Sequence, residues 1–100
     1  MSELQGSVKV AVVQASPLYF DKAGSVAKVA HLTAEAAGER ARLVLFPEAY
    51  VGGYPWGLAF GTAVGGRSPA GRRTWERYWR AALEVPGPET ALLADAAREA

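Results

Sequence analysis

The stretch LVLFPEAYVGGYP, Leu43 to Pro55, decides how the rest of the chain is read. Leu43 to Phe46 are uninterruptedly apolar, as in a strand buried on both faces. Pro47 fixes its own φ and holds Phe46 extended, so Glu48 leaves the strand in a restricted direction. Gly52 and Gly53 then allow backbone to approach without a side chain in the way. In open α/β sheets, ligands bind beyond the carboxyl ends of the strands, and Glu48 stands there. With Tyr50, Tyr54, Trp56 and Phe60 as an apolar wall, a carboxylate at this tip loses hydration and can serve as a general base. The same spacing also fits a glutamate that caps the next turn or pairs with a surface arginine. Spacing alone leaves both readings open.

Upstream, VKVAVVQA from Val8 to Ala15 is a second β-branched, nearly continuous apolar run, closed by Ser16-Pro17. Asp21 is a helix N-cap candidate, and Ser25 is another one turn on. Val26, Val29, Ala30, Thr33, Ala36 and Ala37 then recur at helical spacing, with Lys28, His31, Glu35 and Glu39 along another face. The helix is expected to end near Gly38. Strand, helix and strand in this order predict a βαβ unit with parallel strands.

Downstream the texture changes. Seven of the eleven glycines lie between Gly52 and Gly71, and a loop of that length without its own structure tends to be functional or disordered. Its aromatics argue against disorder. A second helix is predicted over Gly71 to Leu83, with Trp75, Tyr78, Trp79, Ala82 and Leu83 on one face. Arginines and Glu76 fill the other face. Pro86-Gly87-Pro88 is a turn, and a third helix starts at Pro88 and runs through Leu92, Leu93, Ala96 and Ala97 to Ala100. The expected architecture is therefore α/β: a βαβ start, a long loop and two helices. Two strands and three helices give a fully buried strand too few neighbours. The whole stretch, 1–100, reads as the first segment of one larger domain.

Composition narrows the function classes. Half of the 100 residues are apolar and the formal net charge is +1, which argues against a charge-driven nucleic-acid or membrane binder. No apolar run is long enough to span a bilayer. MSELQGS at the start has no basic stretch leading into an apolar core, so a cytoplasmic location is expected. There is no cysteine, which excludes disulfides, thiolate metal sites and thiol nucleophiles within these residues.

At LVLFPEAYVGGYP the chain resembles the segment around the catalytic glutamate of the nitrilase branch of the carbon–nitrogen hydrolase superfamily. VKVAVVQASPLYFD is similar to that family's first strand and the turn after it, and AEAAGERARLVLFPE to its first helix running into the second strand. FGTAVGGRSPAGRRTWERYWRAALEVPGPE is similar to the insert and helix of nitrilases and cyanide-degrading relatives, more than of plain amidases. The resemblance implies an αββα sandwich, of which this would be the N-terminal part. It also implies a Glu–Lys–Cys set that hydrolyses a small organic nitrile without metal or organic cofactor. By this match Glu48 is the catalytic base, Tyr54 an aromatic lining the pocket, and Trp56 a further pocket or contact residue. Cyanide hydratase or dihydratase and aliphatic amidase are the alternatives within the superfamily. Nitrile and water would be the small-molecule partners, and the family's habit implies a homo-oligomer when full length.

One departure matters. Lys9, Lys22 and Lys28 are the only lysines, and none occupies the place of the family's catalytic lysine. Lysine and cysteine both follow the glutamate at later strand ends in that family. The expectation is an N-terminal portion of a longer enzyme, inactive by itself. The reading from another class is a shortened, inactive paralogue that acts as an interaction subunit. Of the remaining features, His31 reads as a solvated histidine on a polar helix face. Trp75, Tyr78 and Trp79 read as a packing face, of core or of subunit contact. The arginines between Arg67 and Arg80 read as a charged surface paired at helical spacing, Glu76 with Arg72 and Arg80.

Overall fold

The computed structural model describes residues 6–53 and 68–100. The elements run β1 (Val10–Val12), α1 (Lys22–Gly38), β2 (Leu43–Leu45), α2 (Pro69–Arg80) and α3 (Pro88–Glu99). β1 and β2 pair in parallel, with Val10 opposite Leu43, Ala11 opposite Val44 and Val12 opposite Leu45. Flanking bonds extend the ladder at both ends: Arg42 N–H donates to the Lys9 carbonyl at 2.8 Å and Val13 N–H to the Leu45 carbonyl at 2.8 Å. The predicted βαβ unit is thus present, with strands shorter than their apolar runs.

The two faces of this sheet differ. Ala11 and Val44 point to one side and are half-buried, and Val44 shares a hollow with Val29 and Thr33 of α1. Val10, Val12, Leu43 and Leu45 alternate to the other side and stand 52%, 68%, 61% and 61% exposed. Strands of a type covered on both faces thus have cover on only one among the described residues, in line with the shortage of neighbours expected from two strands and three helices. The reason is geometric: α1 covers one face, and no described element reaches the other.

Local chemistry explains where the helices begin. Asp21, not Ser25, is the N-cap of α1, its Oδ1 accepting from Gly24 N–H at 2.8 Å. Val26 at 2% and Thr33 at 8% exposure form the buried stripe of that helix. α2 starts at Pro69 rather than Gly71, because Ser68 Oγ accepts from Gly71 N–H at 3.0 Å and Pro69 suits the first turn. It stops at Arg80 rather than Leu83, where Ala82 N–H turns back to the Trp79 carbonyl at 3.1 Å. α3 begins at Pro88 as expected, with the Thr90 hydroxyl accepting from Gly87 N–H at 2.9 Å.

α3 packs along α1, and Lys22 and Glu89 close that contact at 3.6 Å. On α2 the Glu76–Arg80 pair forms at 2.8 Å, one of the two expected partners. The aromatic face of α2 is less covered than a packing face requires: Trp75 is 51% and Trp79 66% exposed. Both border a small hollow of about 130 Å³ with Val51, Gly52 and Ala82. No helix among the described residues is long and apolar enough to cross a membrane.

His31 behaves as its position predicts. It lies on the exposed face of α1, its Nε2 3.9 Å from the Glu35 carboxylate, with both side chains largely in water. His31→Ala is expected to change unfolding free energy by less than about 0.5 kcal/mol, the range of ordinary surface substitutions. Turnover of the full-length protein is expected to stay at the parent level in the same assay. A large loss of either would give His31 a role that its surroundings do not.

Candidate active site

Glu48 begins the turn that follows β2, at the carboxyl end of the parallel pair. Its side chain is exposed. The described residues therefore do not supply the desolvating wall that the sequence predicts around it. Three members of that wall, Tyr54, Trp56 and Phe60, lie outside the described residues. Immediately after Glu48, Ala49 takes φ of +51°, a left-handed conformation that a residue with a Cβ seldom adopts. The chain turns sharply there, and the following residues are held from several directions.

Tyr50 is the first anchor. It is 5% exposed, stacks at 5.3 Å and 49° on Phe46, and donates its hydroxyl to the Ser16 carbonyl at 3.0 Å. Ser16 belongs to the loop after β1, so the hydroxyl ties the two strand-end loops together. Lys28 Nζ from α1 donates to the same carbonyl. Lys28 is thus half-buried and engaged, rather than one more solvated charge on the polar face of α1.

Gly52 is the second anchor, bonded through both its backbone groups. Its N–H donates to Ser25 Oγ at 3.2 Å, and its carbonyl accepts from Phe20 N–H at 2.8 Å. Ser25 is fully buried, and its hydroxyl donates a hydrogen bond to the Leu18 carbonyl at 3.1 Å. Gly52 and Gly53 have φ of +83° and +81°. A Cβ on Gly52 would lie 3.1 Å from the Ala81 carbonyl oxygen, and one on Gly53 would lie 2.6 Å from the Tyr19 ring. Close backbone approach, expected from the Gly-Gly pair, is what the structure uses them for.

Sequence reasoning placed Glu48 and the glycines, but it read Ser25 as a possible helix cap rather than a buried bridge and passed over the hydroxyl of Tyr50. The available signal was a serine four residues before Val29, at the head of the apolar stripe that Val26 and Val29 lead. Among the described residues, no three His, Cys, Asp or Glu side chains gather so as to hold a metal ion.

The arrangement is that of an α/β unit carrying a carboxylate on a pinned turn at a parallel strand end. The model of the carbon-nitrogen hydrolase family matches residues 9–100, and the chain belongs to that family. It is 46% identical over 93 residues to nitrilase 1 of Arabidopsis thaliana, covering 93% of this chain and 27% of that protein. It is 44% identical over 88 residues to the bifunctional nitrilase/nitrile hydratase NIT4A of Nicotiana tabacum, covering 88% and 25%. It is 46% identical over 96 residues to nitrilase blr3397 of Bradyrhizobium diazoefficiens, covering 96% and 30%. The chain thus corresponds to about a quarter to a third of the length of these relatives and matches their N-terminal portion.

Proposed function

We propose that residues 1–100 are the N-terminal segment of a single αββα carbon–nitrogen hydrolase domain, and that the full-length protein hydrolyses a small organic nitrile to a carboxylic acid and ammonia. The observation that carries this reading is the position of Glu48: it leads a turn fixed at Tyr50 and Gly52, at the strand end where an α/β sheet presents its chemistry. The names of the matched relatives favour a nitrile over other carbon–nitrogen substrates.

In this mechanism Glu48 accepts the proton of a cysteine thiol contributed by a later part of the protein. The sulfur bonds to the nitrile carbon as one π bond of the nitrile opens onto nitrogen, which takes the proton back from Glu48, giving a thioimidate and a free carboxylate. Glu48 then deprotonates water. Addition of that water and departure of ammonia leave a thioester, and a second water releases the acid and returns the thiol. A lysine, also from the later part, would stabilise charge on the tetrahedral species. Tyr54 and Trp56 would line the pocket over Glu48. No metal or organic cofactor takes part in this scheme. Self-association of the full-length protein, which the family resemblance implies, belongs to the same reading, and the half-exposed indoles of Trp75 and Trp79 are a face for either subunit contact or core.

The test is substrate profiling of the full-length protein on aliphatic and aromatic nitriles, the matching amides and cyanide. Acid and ammonia are measured together, and amide is quantified beside them, because one relative carries both activities in its name. Release of acid and ammonia from nitriles is the expected outcome. Turnover of amides alone would replace the nitrilase reading by an amidase, and of cyanide alone by a hydratase or dihydratase. A protein made of these residues alone is expected to be inactive, since it has the base without the thiol.

A further inference from the structure

We propose that Ser25 and Tyr50 are positioning residues for Glu48: α1 and the loop after β1 set the place of the general base through these two hydroxyls. The inference rests on the reading of Glu48 as the base. Glu48 itself is exposed among the described residues, so neither burial nor packing of its own side chain against them locates it. Its backbone is located instead from both sides. Before it, the Leu45 carbonyl is held by Val13 N–H at 2.8 Å in the last rung of the ladder. After it, the turn is fastened at Tyr50 and Gly52.

The second fastening is built around Ser25. Ser25 is at 0% exposure, and its hydroxyl donates to the Leu18 carbonyl and accepts from Gly52 N–H, so it joins the loop after β1, α1 and the turn after β2. Phe20 N–H, donating to the Gly52 carbonyl at 2.8 Å, clamps the same residue from its other side. A hydroxyl spends its single proton on one partner and offers a lone pair to the other, so one atom settles both backbones. Tyr50 adds a hydroxyl-to-carbonyl link of 3.0 Å to Ser16, reinforced by Lys28 on the same carbonyl. Between the ladder and these anchors lies Ala49 at φ +51°. A residue in that conformation persists where the surroundings over-determine it, and the two hydroxyls are those surroundings.

A general base must lie within hydrogen-bond reach of its proton, and small displacements are expensive in rate. The experiment is steady-state nitrile kinetics of full-length Ser25→Ala and Tyr50→Phe proteins, with circular dichroism and melting curves for each. Rates are taken well below the melting transition and normalised to folded protein. Both variants are expected to keep KM within about twofold and to lose about tenfold or more in kcat, as misplacement of a reacting group predicts. A merely structural role would lower the melting temperature and leave kcat of the folded fraction unchanged, and that result overturns the proposal. If Ser25→Ala does not fold, Tyr50→Phe decides, since it keeps the ring and its stacking on Phe46. Glu48→Gln run in parallel separates the two layers of inference. Retained turnover there overturns the assignment of the base, whereas its loss beside undiminished kcat in the hydroxyl variants overturns only the positioning.

Discussion

Glu48→Gln in the full-length protein is expected to cut nitrile hydrolysis by about 10²–10⁴-fold, the usual contribution of a general base, without unfolding the protein. The amide has the shape of the carboxylate and can accept a hydrogen bond, but it cannot take the thiol proton. Glu48 is exposed and begins a turn that is fastened elsewhere, at Tyr50 and Gly52. Within this segment the substitution removes no buried contact, so the variant is expected to keep the fold of the parent by circular dichroism. The loss should appear in kcat and in kcat/KM alike, because proton transfer stabilises the transition state rather than bound substrate. Measured turnover close to that of the parent would remove Glu48 from the mechanism. It would restore the plainer reading, a carboxylate that caps or pairs at the surface.

Gly53→Val is expected to destabilise the protein by about 2–5 kcal/mol and to abolish activity with it. Two costs add. A β-branched residue at φ of +81° is forced into a region that L-residues avoid at about 1–2 kcal/mol. Its Cβ alone would lie 2.6 Å from Tyr19 Cδ1, and overfilling a packed contact costs about 1–3 kcal/mol more. Tyr19 precedes Phe20, whose N–H holds the Gly52 carbonyl, so relief of the clash by moving the loop loosens the clamp behind Glu48. Urea unfolding of the parent and the variant would measure the first effect, and nitrile kinetics the second. A variant of undiminished midpoint and rate would show that the Gly52-Gly53 corner is free to rearrange.

The elements were largely legible in the chain. Continuous apolar runs at Val8–Ala15 and Leu43–Phe46, with a 3.6-residue stripe between them, specify strand, helix and strand. Those periodicities arise within each segment. The cap of α1 was also readable, because Asp21 satisfies an N–H three residues away. Strand lengths and the ends of α2 were less so, since a ladder ends where its partner ends and Ser68 caps a helix that starts two residues earlier, at Pro69, than the apolar pattern indicated. Burial of the sheet was legible only as a demand for cover that this segment does not itself meet. An apolar run states that a face can be covered, not which element covers it, and Val10, Val12, Leu43 and Leu45 remain exposed among the described residues.

At the site the division is sharper. LVLFPEAYVGGYP by itself determined that a carboxylate follows a buried-type strand, that Pro47 steers it, that two glycines permit a tight corner, and which family the segment resembles. Each of these depends on residues within a few positions of one another. Only the tertiary structure decided what holds Glu48 in place. Ser25 is 27 residues from Gly52 and Tyr50 is 34 from Ser16, and contacts at such separations leave no periodic or local mark in a sequence. They exist because the parallel pairing of β1 with β2 brings two loops to the same end of the sheet, where buried backbone groups had to find partners.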